Sequence, residues 1–429
     1  MKNYIKTWLT SVFIRQAKAI LKKHKPIVVA VLGSVGKTGT KLAIVDVLKQ
    51  KYRVQYQNGN YNVPLTVPLV ITGQTLPGLT NPIGWLKVWL KGQKFLTSAY
   101  PYDVVVLELS TDKPGDIADF KEFLYPDISV VTAISEEHME FFDNLEQVAE
   151  EELTVTQFTK QLVYSKDSVS KDYVDLFIPK TLEVKSFGFE KGSTYTICAD
   201  RNSHHEFSVT IKLPNDSQIS NDVAVASRHS IQAVGAAVAV GDLLGLSSNQ
   251  LSKGIQKIKP VSGRMRLLQG INNTVIIDDS YNSSPVAAEA AIKTLYELKA
   301  NQKIAIMGNM NELGDISETA HMAIGDMCVP DKLDLLITIG DDANNFIAKA
   351  AEANGCRVIR TSDPIKAGKV AAQNASDGAI ILVKGSQNKV FSEEAVKQLL
   401  ANPADIDNLV RQSDFWMNTK NHQFGYKKQ

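Results

Sequence analysis

The chain has 429 residues, of which 44% are hydrophobic and 22% are charged. This composition is typical of a globular protein of two or three domains, and it excludes disordered and collagen-like chains. Three widely spaced cysteines exclude a disulfide scaffold and a cysteine-rich zinc site. No apolar run approaches the ~18 residues of a membrane span, and the start is too basic for a cleavable signal peptide. We therefore expect a cytoplasmic protein.

The net charge of +1 hides an asymmetry between the two parts of the chain. Residues 1–102 hold 15 Lys and Arg against one acid, Asp46, and the remainder carries a balance of −13. A basic N-terminal quarter favours anionic partners: nucleotide phosphates, a phosphorylated substrate or an anionic membrane face. The alternative is an internal electrostatic match between the two parts. Nucleic acid is disfavoured, because no binding signature accompanies the charge.

Residues 1–26 are predicted to form a basic amphipathic helix. Apolar residues recur there at three- and four-residue steps, basic residues lie among them, and Pro26 ends the pattern. Such a helix either makes peripheral contact with an anionic membrane or packs on the next domain.

From Ile27 the pattern is that of an α/β protein. Strands are predicted at 27–32, 104–109, 128–132, 161–164 and 207–213, with helices at 41–48, 234–244 and 249–258. After Gly263 the pattern restarts, with strands at 274–277, 303–307, 335–339 and 380–383 and helices at 287–298, 343–353 and 393–400. We predict a central P-loop ATPase-type parallel-sheet domain over 27–262. A smaller Rossmann-like, doubly wound C-terminal domain follows over 263–429, with a frayed polar tail after Trp416.

The strongest local signal is a glycine loop between the first strand and its helix. It reads Gly33-Ser34-Val35-Gly36-Lys37-Thr38-Gly39, a short GxxGK[ST] form of the phosphate-binding loop. Backbone N–H groups at a helix N-terminus can cradle phosphates there. Lys37 would reach the terminal phosphates, and the Thr38 hydroxyl would ligate Mg²⁺. The alternative is a structural turn.

Five blocks in order resemble the Mur ligase superfamily, within it most closely the branch that adds D-alanyl-D-alanine to UDP-muramoyl tripeptide. The blocks are the loop GSVGKTGT, GNYN (59–62) before Pro64, DDSYNSSP (278–285), MGNMNELG (307–314) followed by His321, and VKGS (383–386). The resemblance implies an ATP-dependent carbon–nitrogen ligase of peptidoglycan precursor synthesis. In such an enzyme a carboxylate acceptor forms an acyl phosphate, and an amino acid or dipeptide then displaces the phosphate. Folylpolyglutamate synthetase is a poorer match, because the YN-x-x-P and MxELG signatures point away from it.

The resemblance also implies two Mg²⁺ ions and names their ligands. Thr38, Glu108 and His138 match the family's metal-site positions, and Lys37, Glu108, His138 and Asn282 match its catalytic positions. The family usually has a carbamoylated lysine 14 residues after the histidine, where this chain has Glu152. A glutamate supplies the same negative charge without CO₂. The alternative is an acid on a solvated helix face. Glu150 and Glu151 are predicted to be spectators.

For the nucleotide, the resemblance implies contacts from His229, Arg264 and Asp279. The family's HNxxN segment appears here as His229-Ser230-Ile231-Gln232-Ala233, so base specificity is open. Asn309 also replaces the aspartate of the family's GDM. The substrate-binding positions that the resemblance implies are Asn60, Asn62, Tyr281, Asn282, Lys384 and Ser386.

The muropeptide ligases carry an N-terminal UDP-binding domain, and only 26 residues precede the first strand here. We therefore expect the acceptor, such as a UDP-muramoyl peptide, to be held in another way. The basic helix and the stretch 81–96, rich in Trp and Lys, are candidates, although that stretch can equally be a packed helix. The open alternatives are a ligase with a folate- or polyamide-like acceptor and an inactive nucleotide-binding scaffold.

Overall fold

The larger of two β-sheets contains nine strands. The computed structural model describes residues 2–57, 59, 61–78 and 81–425, and within them the sheet order is β2-β3-β1-β4-β5-β6-β7-β8-β9. The strands are β1 (Ile27–Leu32), β2 (Val54–Gln55), β3 (Val104–Glu108), β4 (Ile128–Val131), β5 (Gln161–Ser165), β6 (Glu183–Gly188), β7 (Tyr195–Ser203), β8 (Glu206–Lys212) and β9 (Gln218–Val223). Pairing is parallel from β2 to β7 and antiparallel across β8 and β9.

Helices cover both faces of this sheet, as buried parallel strands require. They are α1 (Lys2–His24), α2 (Lys37–Leu48), α3 (Val67–Ile71), α4 (Pro82–Thr97), α5 (Asp116–Phe120), α6 (Leu145–Leu153), α7 (Lys171–Phe177), α8 (Arg228–Leu243) and α9 (Ser248–Ile255), with a 3₁₀ turn at Thr154–Gln157. One face packs against α2, α8 and α9. The other carries α1, α3, α5, α6 and α7. α4 lies against α1 and α3 in a smaller apolar cluster.

The second sheet has six strands in the order β10-β11-β15-β12-β13-β14, and β10 pairs antiparallel with β11. They are β10 (Arg266–Gln269), β11 (Val275–Asp279), β12 (Lys303–Gly308), β13 (Leu335–Ile339), β14 (Val358–Thr361) and β15 (Ile380–Lys384). The helices are α10 (Pro285–Glu297), α11 (Ser317–Asp326), α12 (Ala348–Ala353), α13 (Pro364–Asn374), α14 (Glu393–Lys397) and α15 (Asp414–Phe424). 3₁₀ turns lie at Gly314–Ile316 and Pro403–Asn408, and a π-helical turn at Ala343–Ile347 precedes α12.

This arrangement confirms the predicted fold class. Helices α10 to α12 bury one face of the second sheet and α13 and α14 the other, which is the doubly wound pattern. The strands predicted from apolar runs are all present, with ends shifted by one or two residues. The first sheet is longer than predicted, because β6, β7 and β9 give weak apolar signals. In the described part of the chain, no helix is long and apolar enough to cross a bilayer.

The prediction of a frayed tail after Trp416 is wrong, because α15 extends to Phe424. Lys420 is fully buried, and its Nζ lies 2.5 Å from Glu394 Oε1 and 3.0 Å from Glu393 Oε1. The ring of Phe391 packs edge-on against those of Trp416 and Phe424. Lys420 of the tail therefore serves as a buried partner of α14.

Candidate active site

The glycine loop joins β1 to α2 and turns sharply over the end of the sheet. Gly33 and Gly36 adopt φ values of +117° and +90°, which favour glycine. A Cβ on Gly33 would lie 2.5 Å from Thr132 Oγ1 and 2.8 Å from the backbone N of Ala133. The loop therefore lies directly on the residues that follow β4, leaving its N–H groups at the start of α2.

Lys37, the first residue of α2, folds back over this loop. Its Nζ donates to the carbonyl oxygens of Gly33 and Ser34 and lies 3.4 Å from Glu137 Oε2. Burial alone would lower the pKa of Lys37, but the charges of Glu137, Glu152 and Glu108 outweigh it and raise the pKa. The ammonium is therefore held charged beside the loop.

Thr38 and Glu108 meet at the carboxyl end of β3. The Thr38 hydroxyl lies 3.1 Å from both carboxylate oxygens of Glu108, and Lys41 Nζ lies 3.0 Å from Oε2 of the same group. Burial opposes ionisation of Glu108, but Lys41 and Arg264 overcome it and lower its pKa. Glu108 is thus an ionised carboxylate next to a hydroxyl, a pair of hard oxygen donors.

His138 lies beyond β4 in a left-handed backbone conformation, with φ of 55°. Its Nδ1 is 2.8 Å from Oε2 of Glu312, on the loop after β12, and its Nε2 is 3.7 Å from both Asp112 and Glu137. Burial lowers the pKa of His138, but the surrounding acids raise it overall. The contact of His138 with Glu312 thereby links the loop after β4 of the first sheet to the loop after β12 of the second.

Glu152 lies beneath the glycine loop, on α6. It is 1% exposed, and its Oε2 accepts the N–H of Gly33 at 2.9 Å. Burial raises the pKa of Glu152 to about 7, although Lys37 opposes that shift. The solvated-face interpretation is therefore wrong for Glu152.

The neighbouring acids of α6 differ from one another. Glu151 is also buried and accepts the N–H groups of Gly115 and Ile117 at 2.8 and 2.7 Å, at the start of α5. Glu150 is exposed. Glu151 is therefore a structural helix-capping residue and not a spectator.

The second sheet contributes a group of residues around β11 and β15. Arg264 Nη2 donates to Thr38 Oγ1 at 3.1 Å, while its guanidinium lies 4.2 Å from the ring centroid of Tyr281. Lys384 is 1% exposed and donates to Asp279 Oδ2 at 2.6 Å and to the carbonyl oxygen of Asn282 at 2.9 Å. Arg264 therefore connects the phosphate-binding loop to the second sheet.

Most of the predicted residues surround one cavity of about 470 Å³ between the two sheets. It is lined by Ser34, Val35, Gly36, Lys37, Gly39, Asn62, Glu108, His138, His229, Arg264, Asp279, Tyr281, Asn282 and Lys384. Gly33, Thr38, Glu152 and Ser386 lie outside this lining. The Ser386 hydroxyl is buried, donating to the carbonyl of Ser283 and accepting from the N–H of Asn311. Asn60 lies outside the described residues, and none of the lysines of α4 lines the cavity.

The residues present fit ATP and Mg²⁺. The glycine loop is packed too closely on Thr132 and Ala133 to admit a side chain at Gly33, and its backbone is left to hold phosphates. Among the described residues, no three His, Cys, Asp or Glu side chains converge on a metal position. Mg²⁺ takes one or two carboxylates and completes its shell with phosphate oxygens and water, and the Glu108 carboxylate beside the Thr38 hydroxyl is a donor set of that kind. That Thr38, Glu108 and His138 hold the ion stays a prediction.

Sequence reasoning missed several charged residues of the site. Glu137 and Asp112 flank His138, Glu312 bonds it, and Lys41 pairs with Glu108. Two signals were available: Lys41 lies one helical turn after Lys37, and Glu312 is the acid of MGNMNELG. No sequence signal identifies Glu137 and Asp112, because only the tertiary structure places their carboxylates near Nε2 of His138.

Two protein-family models match the chain: the Mur ligase middle domain over residues 31–241 and the Mur ligase glutamate ligase domain over 263–387. The UDP-N-acetylmuramoyl-tripeptide–D-alanyl-D-alanine ligase of Bacillus subtilis is 29% identical over 397 residues, covering 90% of this chain and 79% of the relative. The enzyme of the same name from Escherichia coli is 25% identical over 379 residues, covering 87% and 77%.

Solved structures share the fold. The MurF ligase from Thermotoga maritima in complex with ADP aligns with a TM-score of 0.73 at 22% identity, covering 91% of this chain and 84% of that one. The folylpolyglutamate synthase of Mycobacterium tuberculosis aligns with a TM-score of 0.62 at 14% identity, covering 90% and 94%. Together with the two family models, these likenesses confirm the resemblance carried by the five sequence blocks. The chain belongs to the Mur ligase family, whose members are ATP- and Mg²⁺-dependent enzymes that form carbon–nitrogen bonds.

Proposed function

We propose that this enzyme joins D-alanyl-D-alanine to a UDP-muramoyl tripeptide in peptidoglycan precursor synthesis. The observation that carries the proposal is that Lys37, Glu108, His138 and Arg264 line one cavity, with the Thr38 hydroxyl bonded to Glu108 and Arg264 beside it. The alignments with relatives named for this reaction cover most of the chain. The presence of Lys37, Thr38, Glu108 and His138 together argues against an inactive scaffold.

In the proposed reaction an acceptor carboxylate oxygen bonds to the γ-phosphorus of ATP, and ADP leaves. The amine of the dipeptide then attacks the acyl carbon, phosphate leaves, and the amine gives up a proton. Lys37 would exchange its contacts with the Gly33 and Ser34 carbonyls for phosphate oxygens, and the loop N–H groups would hold the remaining charge. Bound Mg²⁺ would neutralise charge on the phosphoryl group.

The second sheet would complete the site. Arg264 lies against Thr38 and would reach the phosphates, and Asp279 lies at the cavity wall where ribose hydroxyls are expected. Lys384 and Asn282 would face the dipeptide carboxylate. To bind it, Lys384 would share its ammonium between that carboxylate and Asp279. We assign Arg264, Asp279, Asn282 and Lys384 to a C-terminal domain of residues 263–429, and the glycine loop to a central domain of residues 27–262.

The proposed reaction takes place in the cytoplasm, where ATP and nucleotide-linked precursors are available and where the three free cysteines stay reduced. Contact of the basic N-terminal helix with an anionic membrane is a separate proposal, because α1 supplies no residue to the cavity.

Phosphate release from ATP, measured with UDP-muramoyl tripeptide and D-alanyl-D-alanine together and with each alone, tests the proposal. We expect release only with both substrates, and a product mass equal to the sum of the two less one water. Phosphate release with a folate- or polyamide-type carboxylate instead would show that the acceptor is of that type and not a UDP-muramoyl tripeptide. No release with any acceptor would favour the scaffold.

A further inference from the structure

Large apolar side chains are exposed unevenly on this protein. Of fourteen such side chains in the described residues, eight lie on α1, on α4 or in the segment before α4. They include Trp8, 65% exposed, and Ile83, 67% exposed. The eight are Tyr4, Ile5, Trp8, Leu76, Ile83, Leu86, Trp89 and Leu90. Such a concentration marks an interaction surface, whereas single exposed apolar residues do not.

α1 and α4 lie side by side and run in the same direction. The rings of Phe13 and Trp85 are 5.3 Å apart, Gln16 Nε2 donates to the carbonyl oxygen of Trp89 at 2.9 Å, and Lys23 Nζ donates to that of Leu96 at 2.7 Å. These contacts place the start of α4 level with the third turn of α1, so the first two turns of α1 extend beyond it. The exposed apolar residues of both helices therefore lie toward the same end of the pair.

The buried apolar side chains of the two helices already pack against the rest of the fold. Leu9 and Phe13 pack with Trp85 and Val88 in one apolar cluster, and Ile14, Ala17 and Ile20 belong to the core of the first sheet. The exposed apolar residues are therefore additional to what the fold needs.

The same surface is basic throughout. Neither α1 nor α4 contains an acidic residue, and together they carry nine Lys and Arg. On α1 the exposed stripe changes from Tyr4 and Trp8 to Arg15, Lys18 and Lys22, and on α4 the exposed Lys87, Lys91 and Lys94 follow Ile83 and Leu86. Aromatic and aliphatic side chains bordered by long cationic ones are typical of a helix that lies in a membrane interface.

We propose that α1 and α4 together form a peripheral membrane-binding surface for an anionic bilayer. The apolar ends of the two helices enter the headgroup region, and the lysines contact lipid phosphates. A second copy of the chain is a poor occupant, because a symmetric contact through this surface would bring basic residues against basic residues. An anionic bilayer offers an apolar region to the exposed apolar side chains and phosphates to the lysines.

Cosedimentation of the full chain with lipid vesicles tests this. We expect binding to vesicles of phosphatidylcholine with phosphatidylglycerol, weak binding to phosphatidylcholine alone, and loss of binding as salt increases. Failure to bind the anionic vesicles, or equal binding to both, would overturn the proposal. Ligase activity is measured without vesicles, so this outcome is independent of the proposed reaction.

Two pairs of substitutions assign the binding to this surface. Lys87→Gln with Lys91→Gln removes two exposed charges, and we expect the partition coefficient to fall about 30-fold. The matched control is Lys180→Gln with Lys299→Gln, which removes the same charge from exposed positions elsewhere and should bind like wild type. Equal losses of lipid binding in both variants would show that only net charge matters, and would overturn the assignment of binding to this surface.

The apolar part is tested by Trp8→Ser with Leu86→Ser, which should reduce partitioning at least about tenfold. Leu176→Ser with Phe415→Ser is the control, because these side chains are 61% and 70% exposed on α7 and α15. Thermal melting by circular dichroism checks that each variant is folded. Wild-type binding by the Trp8 and Leu86 variant, with a normal melt, would contradict the proposal. So would a change in oligomeric state in place of a change in lipid binding.

Discussion

A carboxylate buried under a phosphate-binding loop is costly unless hydrogen bonds and nearby cations compensate its charge. Glu152 accepts one N–H from Gly33 and lies near Lys37, so its charge is only partly compensated. Glu152→Gln keeps an oxygen for the Gly33 N–H and removes one negative charge. If that charge supports Mg²⁺, we expect the Mg²⁺ concentration for half-maximal phosphate release to rise at least about tenfold. Activity of the wild type should be indifferent to bicarbonate, because no carbamate has to form.

The control for this charge is Glu150→Gln, since Glu150 is exposed on the same helix. Glu151 is unsuitable, because its carboxylate caps α5. An unchanged Mg²⁺ dependence in Glu152→Gln, measured by titrating the metal at saturating ATP, would leave Glu152 a purely structural acceptor. Bicarbonate-dependent activity of the wild type would point to a carbamoylated lysine elsewhere.

Lys37 is the residue whose loss should affect the chemistry most. Lys37→Ala removes an ammonium that the structure places on the phosphate-binding loop, and we expect phosphate release to fall at least about 100-fold. The variant should still fold, with a lower melting temperature, because Glu137 and Glu152 lose a nearby cation. Lys49→Ala, at the exposed C-terminal end of the same helix, is the control. Near-normal turnover in Lys37→Ala would contradict the role given to this loop.

At the scale of elements, α15 depends on charges buried far from it in sequence. Lys420→Ala would leave Glu393 and Glu394 with Arg411 and Lys397 as their remaining cationic partners. Removing one member of a buried ion network costs about 3–5 kcal/mol, so we expect a clearly lower urea midpoint. His422→Ala, on the exposed side of α15, should behave like wild type. An unchanged midpoint for Lys420→Ala would show that α15 adds no stability.

Some elements are held by buried apolar residues and others by buried ion pairs, and this difference explains which of them sequence patterns predict. β1, β3, β12 and β15 are buried on both faces, so their apolar runs predict them directly. α15 is polar in sequence, and its order depends on ion pairs and rings that only the tertiary structure brings together.

The active site divides in a similar way. Lys37 and Thr38 lie in the glycine-loop motif, and the family resemblance named Glu108 and His138 in advance. The burial of Glu152 and the contact of His138 with Glu312 depend on how α6 and the second sheet fold onto the glycine loop.

For the whole molecule, Arg264 is, with the pair of His138 and Glu312, a link through which the two sheets form one site. Its guanidinium donates to Thr38 and lies over the ring of Tyr281, a combination that the point charge of lysine does not reproduce. We therefore expect Arg264→Lys to raise the KM for ATP about tenfold or more and to lower kcat, although the total charge is unchanged. Arg266→Lys, on β10 two residues away and bonded to Ser262 and Asn408, is the matched control and should leave both constants near wild type. Small-angle scattering should show the Arg264 variant more extended than wild type, since a link between the sheets is weakened. Wild-type kinetics and an unchanged radius of gyration would show that the sheets are held together without Arg264, and that the arginine is only a neighbour of the phosphate-binding loop.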